Sequence, residues 1–139
     1  MKIVIIDGQG GKIGQIMIEK LKQRLPGHEL LAIGTNCTAT SAMLRAGADF
    51  GATGENPIIY NSKDADIIIG PLGIVVANSF LGEITPKMAV AIGESKAQKF
   101  LIPINKCNNR IVGMMDLSFS EYVDLAISEV QSYLNRKSI

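Results

Sequence analysis

Residues 2–14 read KIVIIDGQGGKIG, a run of β-branched side chains that gives way to four glycines within seven residues. The run at Lys2–Ile6 is apolar almost throughout, which is typical of a strand buried on both faces of a parallel sheet. A buried strand, a glycine turn and an amphipathic helix in this order predict the first unit of a doubly wound α/β sheet. The helix is indicated by apolar side chains at helical spacing, namely Ile13, Ile16, Met17, Leu21 and Leu25.

The rest of the chain continues the alternation of strands and helices. We predict further strands at Glu29–Ile33, Ile58–Tyr60, Asp66–Ile69 and Lys99–Ile104, and a short edge strand at Ile111–Met114. The predicted helices are Thr38–Ala46, Ile74–Phe80, one capped by Thr85 and running to about Ile92, and a last one that begins at the capping box of Ser118 and Glu121. We therefore predict a single doubly wound Rossmann-like domain over residues 1–139, with a mostly parallel sheet of five to six strands in the order 3-2-1-4-5.

Composition and charge limit the classes of partner. The chain has 139 residues and a formal net charge of +1, so we expect no binding to nucleic acid. No apolar run approaches the roughly 18 residues of a membrane span, and the first residues resemble a strand rather than a signal peptide. Cys37 and Cys107 lie far apart and outside any CxxC spacing, which predicts neither a disulfide framework nor a metal site. We expect a cytoplasmic protein that binds no metal.

The glycine loop is the main candidate for ligand binding. A Walker loop is excluded, because Ile6 stands where its first glycine would be and Ile13 where its Ser or Thr would be. The GxGxxG fingerprint fails at its last position, which is again Ile13. The spacing GxxGxxG, at Gly8, Gly11 and Gly14, fits the sequence better.

This loop resembles those of extended short-chain dehydrogenases and of dihydrodipicolinate reductase, which bind NAD(P). The resemblance implies a sharp turn at Gly8, approach of a phosphate to Gly11 and close helix packing at Gly14. It makes the whole loop a candidate cofactor site, namely Gly8, Gln9, Gly10, Gly11, Lys12, Ile13 and Gly14. The residues alone leave open a strand-to-helix turn without a ligand, because such turns also favour glycine. Tyr60 and Tyr122 do not supply the Tyr-x-x-x-Lys pair of short-chain dehydrogenases, because Asp64 and Ala126 stand at the position of its lysine.

The end of the second predicted strand departs from the usual NAD site. An Asp or Glu at that place binds the ribose hydroxyls, whereas this chain has Gly34, Thr35 and Asn36. Thr35 and Asn36 are kept as candidate ligand-binding residues, together with Gly70 and Pro71 after the fourth predicted strand. The expected ligand is NAD(P) or another nucleotide.

A second resemblance points to a phosphate-bearing metabolite. The segments HELLAIGTNCTAT and IIGPLGI resemble the phosphate-binding segments of methylglyoxal-synthase-like domains. The aspartates and the histidine of that enzyme family have no counterparts here, so the alternative is a phosphometabolite-binding or regulatory module without catalysis. Glu83, Lys87 and Cys107 are the remaining candidates for acid–base or nucleophilic chemistry, and no reaction is assigned to them.

Taken whole, the chain resembles a family of small bacterial proteins of unknown function with a predicted Rossmann-like NAD(P)-binding fold. The resemblance runs through IDGQGGKIG, GTNCTATSAMLRAGA, GATGENP, ADIIIGPLGI, NSFLGEITPKMA and IPINKCN, and so spans nearly the whole sequence. It implies the fold and brings no activity with it. Since the sequence predicts no second domain to cover a ligand, we expect the missing wall to come from the second subunit of a homodimer.

Overall fold

The computed structural model describes residues 1–104 and 108–138. Its strands are β1 (Ile3–Asp7), β2 (Leu30–Gly34), β3 (Phe50–Thr53), β4 (Ile67–Pro71) and β5 (Gln98–Ile102). Its helices are α1 (Lys12–Arg24), α2 (Cys37–Arg45), α3 (Glu55–Ser62), α4 (Pro86–Glu94) and α5 (Phe119–Lys137), and a 3₁₀ turn at Leu72–Val75 follows β4.

The five strands form one all-parallel sheet in the order β3-β2-β1-β4-β5. β1 is the central strand, and its Ile3 pairs with Leu30 of β2 on one side and with Ile67 of β4 on the other. Every residue of β1 and of β4 is buried, because helices cover both faces of the sheet. The predicted α/β class and the strand order 3-2-1-4-5 are confirmed.

Successive side chains of β1 point into two separate cores. Ile3 and Ile5 belong to a core that includes Met17 of α1, Met43 of α2 and Ile127 of α5. Val4 and Ile6 belong to the other, with Ile58 of α3 and Ile92 of α4. The strand period of two thus separates the helices into two layers, one on each face of the sheet.

The third strand does not lie where the sequence predicts it. The prediction of a strand at Ile58–Tyr60 is wrong, because those residues lie inside α3 and the strand is Phe50–Thr53. Pro57 is compatible with this helix, since it stands in the first turn, where N–H groups have no intrahelical acceptor. β3 pairs only with β2 and is largely exposed at the edge of the sheet, so it lacks the apolar run that marks a buried strand.

Two shorter elements also differ from their predictions. The helix predicted at Ile74–Phe80 is wrong: the 3₁₀ turn ends at Val75, and left-handed backbone angles follow from Asn78 onward. The edge strand predicted at Ile111–Met114 is wrong as well, because a hydrogen bond from Met114 N to Ile111 O (3.4 Å) closes a turn there. Among the described residues the sheet therefore has five strands and no sixth.

The helix starts predicted from capping residues are confirmed. Thr85 Oγ1 accepts from Met88 N (3.2 Å) at the start of α4, and Pro86 is the first residue of that helix. At the start of α5, Ser118 Oγ accepts from Glu121 N (3.1 Å), and Glu121 Oε1 accepts from Ser118 N (3.2 Å). These bonds satisfy N–H groups that the helices leave without partners.

Candidate functional site

The carboxyl ends of β1 and β2 bring the predicted ligand-binding residues together. The loop 8–14 follows β1 and Thr35 follows β2, and Thr35 N donates to Asp7 O at 3.0 Å. The chain order of the strands reverses at β1, between β2 and β4. This reversal is the place where open α/β sheets bind ligands beyond the ends of their strands.

A buried carboxylate lies directly under the glycine loop. Asp7 is 4% exposed, and its two oxygens accept from Gly8 N (Oδ1, 2.8 Å) and Gly14 N (Oδ2, 2.7 Å). Burial raises the pKa of Asp7 to about 6, against the opposing hydrogen bonds from Gly14 and Gly8 and with a smaller contribution from Glu83. The start of α1, whose dipole favours negative charge, thus already holds an anion of the protein itself.

Asp7 is not among the site residues predicted from the sequence. The signal was present, since an acid stands immediately before the first glycine of the loop at the end of an apolar strand. What the sequence does not show is that the carboxylate turns back beneath Gly14 rather than outward to solvent.

Two glycines of the loop are required by helix packing. Gly11 has a φ of 74°, and a Cβ on it would lie 2.8 Å from Ala39 Cα. A Cβ on Gly14 would lie 2.5 Å from Met43 Sδ. Because Ala39 and Met43 belong to α2, both glycines serve the close contact between α1 and α2. Gly11 faces this helix, and not the open side of the loop where a phosphate would approach.

The other two glycines differ from each other. A Cβ on Gly8 would lie 2.6 Å from both the Phe80 ring and Thr35 Oγ1. The absence of a side chain at Gly8 therefore allows Phe80 and Thr35 to pack against the loop. Gly10 is exposed, and a Cβ on it would meet nothing within 4 Å. Gly10 is therefore the glycine of this loop that faces open space, and packing does not account for it.

Two N–H groups of the glycine loop are left without an acceptor among the described residues. Its other bonded amides donate to the carboxylates of Asp7 and Glu83 or to Gly8 O. Within residues 1–104 and 108–138, no acceptor takes the N–H of Gly10 or of Lys12. The exposed Lys12 side chain forms no ion pair in that part of the chain either.

Glu83 joins the glycine loop to the end of β2. Its Oε1 accepts three hydrogen bonds, from Thr35 Oγ1 (2.5 Å), Gln9 N (2.8 Å) and Asn36 Nδ2 (2.9 Å). Burial raises the pKa of Glu83, but the bonds from Thr35, Gln9 and Asn36 together outweigh burial and hold this pKa below its usual value. Of the predicted candidates for chemistry that the structure describes, Glu83 lies against the loop.

A turn with left-handed backbone angles positions Glu83 between the glycine loop and the end of β2. Positive φ angles occur at Asn78 (66°), Phe80 (59°), Leu81 (57°) and Gly82 (91°). Hydrogen bonds from Asn78 N to Ile84 O (2.7 Å) and from Ile84 N to Ser79 O (3.1 Å) close the turn. Each left-handed residue other than glycine costs about 1–2 kcal/mol, and such strain is concentrated at functional sites.

A hollow opens beside the loop, on the side of β4. It has a volume of about 100 Å³ and is lined by residues 7–13 and by Pro71, Phe80, Ile104 and Phe119. A smaller hollow of about 30 Å³ adjoins it through Pro71, Phe80 and Ile104. Pockets for small organic ligands measure about 300–1,000 Å³, so a ligand as large as a nucleotide would extend out of the hollow and over the loop.

The remaining candidates take other places. Gly70 lies within β4, where a Cβ would strike Ile6 O, so Gly70 serves strand packing, and Pro71 lines the hollow. Lys87 is exposed in the first turn of α4, and its side chain makes no hydrogen bond or ion pair within the described ranges. The prediction for Cys107 lies outside the described residues.

The polar residues after β2 are engaged inside the protein. Asn36 caps α2, with its Oδ1 accepting from Ala39 N at 2.9 Å, and its Nδ2 also donates to Gln9 O at 3.0 Å. Thr40 Oγ1 donates to Asn36 O (3.1 Å) and accepts from Gly34 N (3.2 Å). The segment 34–36 therefore leads into α2 and is held by hydrogen bonds within the protein.

Residues 1–104 and 108–138 contain neither a metal-binding cluster nor a membrane-spanning helix. No group of three or more His, Cys, Asp or Glu side chains that could hold a metal ion occurs there. In the same ranges, no helix is both long enough and apolar enough to cross a membrane.

The fold and the site together define a doubly wound α/β protein with a glycine loop at the switch point of its sheet. The chain belongs to the DUF3842 family, a domain of unknown function, which matches residues 2–135. Among solved structures it is similar to the dodecameric FMN-dependent Ubix-like decarboxylase from Escherichia coli O157:H7. That similarity has 17% sequence identity and a TM-score of 0.47, and covers 93% of this chain and 76% of the other. No curated protein matches the sequence.

Proposed function

We propose that the protein binds a nucleotide or dinucleotide, with NAD(P) among the candidates, and holds one of its phosphates over Gly10. The observation that carries this proposal is the pair of unbonded N–H groups at Gly10 and Lys12, at the amino end of α1 and beside the hollow. Exposed amides at a helix start attract phosphate, because the helix dipole is positive there.

The charges around the loop decide where a phosphate can lie. Asp7 is beneath the loop and Glu83 beside it, so both carboxylates would repel a phosphate placed close to them. A Cβ on Gly10 would meet nothing within 4 Å, and the side chain of Lys12, two residues further on, is exposed, so its ammonium group can offset the negative charge of a phosphate there. A phosphate over Gly10 therefore meets two amides and one cation.

The rest of the ligand has two directions in which to extend. Towards β2 it would meet Thr35 and Glu83, and towards β4 it would enter the hollow lined by Pro71 and Phe80. A dinucleotide would use both directions, and a mononucleotide would use one. No separate observation favours the phosphometabolite alternative, since Thr35 and Asn36 are already bonded to Glu83.

The experiment is isothermal titration of the protein with NAD⁺, NADH, NADP⁺, ATP, FMN and inorganic phosphate. We expect saturable binding of at least one nucleotide.

Gly10→Val would place its side chain over the open amides, and we expect at least a tenfold loss of affinity. The unfolding free energy should change by less than about 0.5 kcal/mol, since a Cβ there has space. Gly11→Val is unsuitable as a probe of the loop, because a Cβ on Gly11 would lie 2.8 Å from Ala39 Cα.

The matched control is Gly93→Val. A Cβ on Gly93 also meets nothing within 4 Å, but this glycine lies near the far end of α4, so ligand affinity should stay at the wild-type value. The proposal is contradicted if no nucleotide binds, or if Gly10→Val binds as tightly as the wild type. Binding of inorganic phosphate alone would favour the phosphometabolite alternative. The homodimer stays a prediction, and sedimentation equilibrium with and without nucleotide tests it.

A further inference from the structure

We infer that Glu83 recognises the ribose of the bound nucleotide, so that the site takes ribose with free 2′- and 3′-hydroxyls and rejects a 2′-phosphate. This inference rests on the proposed function and names the class of nucleotide that the site selects. It starts from the position of the Glu83 carboxylate, which the sequence does not reveal.

The carboxylate stands where a dinucleotide site needs an acid. Sheets that bind NAD place an Asp or Glu at the end of β2, next to the glycine loop, to accept hydrogen bonds from the ribose. Here β2 is followed by Thr35 and Asn36, and Glu83 Oε1 lies 2.5 Å and 2.9 Å from their side chains. The same oxygen lies 2.8 Å from Gln9 N in the glycine loop. The turn before α4 thus supplies an acid that β2 lacks.

One oxygen of Glu83 is fixed and the other is available. All three hydrogen bonds fall on Oε1, and within the described part of the chain none falls on Oε2. Glu83 is only partly buried, so Oε2 can be reached from solvent. A carboxylate oxygen has two acceptor sites, so Oε2 can accept from both hydroxyls of a ribose diol while Oε1 keeps the group in place.

The local charge explains the selectivity. The three donors favour the ionised form of Glu83 and hold its pKa below the usual value against the effect of burial, and an ionised acceptor strengthens a hydrogen bond from a hydroxyl. The same charge would repel a 2′-phosphate. The nearest arginine in the chain after β2 is Arg45, which stands in the last turn of α2 whereas Asn36 caps the first, so it offers that phosphate no counter-charge.

The strained turn fits a recognition role. Phe80, Leu81 and Gly82 all have positive φ angles immediately before Glu83. Phe80 packs against Gly8 and Gly73 and anchors the turn beside the loop. The strained turn holds the Glu83 carboxylate beside the ends of β1 and β2. The carboxylate is therefore oriented before a ligand binds.

The test compares ligands that differ at a single ribose position. Isothermal titration would measure NAD⁺ against NADP⁺, and ATP against 2′-deoxy-ATP, with the wild type, Glu83→Gln and the control Glu94→Gln. Glu94 is exposed at the end of α4, and its loss removes the same charge far from the loop. For the wild type we expect NAD⁺ to bind at least about tenfold more tightly than NADP⁺, and ATP about tenfold more tightly than 2′-deoxy-ATP.

Glu83→Gln should bring both ratios to within about threefold, because the amide is nearly the same size but neutral. Glu94→Gln should keep the wild-type ratios. Equal affinities for each pair in the wild type, or unchanged ratios in Glu83→Gln, would show that Glu83 only ties the loops together, while nucleotide binding itself stands. If Glu83→Gln does not fold, the wild-type ratios decide alone. If the wild type binds no nucleotide, both proposals are overturned.

Discussion

Asp7 places its carboxylate under the amides of Gly8 and Gly14, where an external phosphate would otherwise be expected. The cost of burying this charge is only partly offset by the two hydrogen bonds, as the raised pKa shows. The loop therefore carries a titratable anion on its inner side and open amides on its outer side. Asp7 should therefore make its own contribution to the pH dependence of the protein's stability.

We predict that Asp7 lowers the unfolding free energy as pH rises from about 4 to about 6. The folded-state pKa of about 6 lies above the ordinary value of 3.8, so the folded protein binds this proton more tightly than the unfolded chain does. The gain is complete below about pH 4 and lost above about pH 6, and amounts to about 3 kcal/mol at about 1.4 kcal/mol per pKa unit. Urea unfolding from pH 4 to pH 8 measures it.

The variant that isolates this contribution is Asp7→Asn. Because the variant does not titrate at this position, the unfolding free energy of the wild type should fall by about 3 kcal/mol relative to that of the variant as pH rises over that range. Asp116→Asn, at an exposed position, is the control and should follow the wild-type profile. Parallel pH profiles of the wild type and Asp7→Asn would refute the assignment.

The turn between the 3₁₀ helix and α4 combines strain with exposure. Leu81 has a φ of 57° and is 94% exposed, so its side chain contributes little packing in return for the strained backbone. Its neighbour Phe80 contacts Gly8, and Glu83 contacts Gln9 and Thr35. The strain at Leu81 is thus held by the residues on either side of it.

We predict that Leu81→Gly stabilises the protein by about 1 kcal/mol. Glycine removes a left-handed penalty of about 1–2 kcal/mol and loses about 0.5–1 kcal/mol through greater freedom of the unfolded chain. Val112→Gly is the control, because Val112 is 99% exposed without a positive φ and should gain nothing. Chemical denaturation compares the two, and an equal response would mean that strain at Leu81 is not the cause.

The elements that sequence reasoning found are those whose signal is local. β1 and β4 are continuous apolar runs, and Thr85 and Ser118 cap their helices through residues only three positions away. The sequence did not predict β3, because an edge strand that pairs with one neighbour needs no apolar run. The left-handed turn at 78–82 was not predicted either, because Phe and Leu do not indicate positive φ angles, whereas glycine does.

The location of the site could be predicted from the sequence, but the hydrogen bonds between its residues could not. The loop after β1 and Thr35 after β2 follow from the strand order, since the carboxyl ends of parallel strands meet at one edge. The contact of Glu83 with Thr35 joins residues 48 positions apart. It depends on the path of a turn that no local pattern specifies, so the sequence indicated Glu83 only as an acid on the rim.

The sheet divides the protein into two cores that share few side chains. Ile18 of α1 belongs to the core with α2 and α5, and Ile92 of α4 belongs to the core with α3. Both side chains are fully buried. Since the backbone of the sheet lies between them, a change in one core should not be felt by the other.

We predict that Ile18→Val and Ile92→Val each destabilise the protein by about 0.5–1.5 kcal/mol, as expected for the loss of one buried methyl group. In the double variant the losses should add to within about 0.5 kcal/mol, because distant sites without shared partners act independently. Urea denaturation of the four proteins measures the coupling. A larger coupling would mean that the sheet transmits strain from face to face.

The central position of β1 also bears on the order of events during synthesis. β1 leaves the ribosome before any of its partners, and one of its two neighbours is β4, where Lys2 N donates to Asp66 across 64 residues. A growing chain that has not yet reached Ile67 has nothing to cover that side of its most apolar strand. The chain must therefore be made as far as β4 before the middle of the sheet can close.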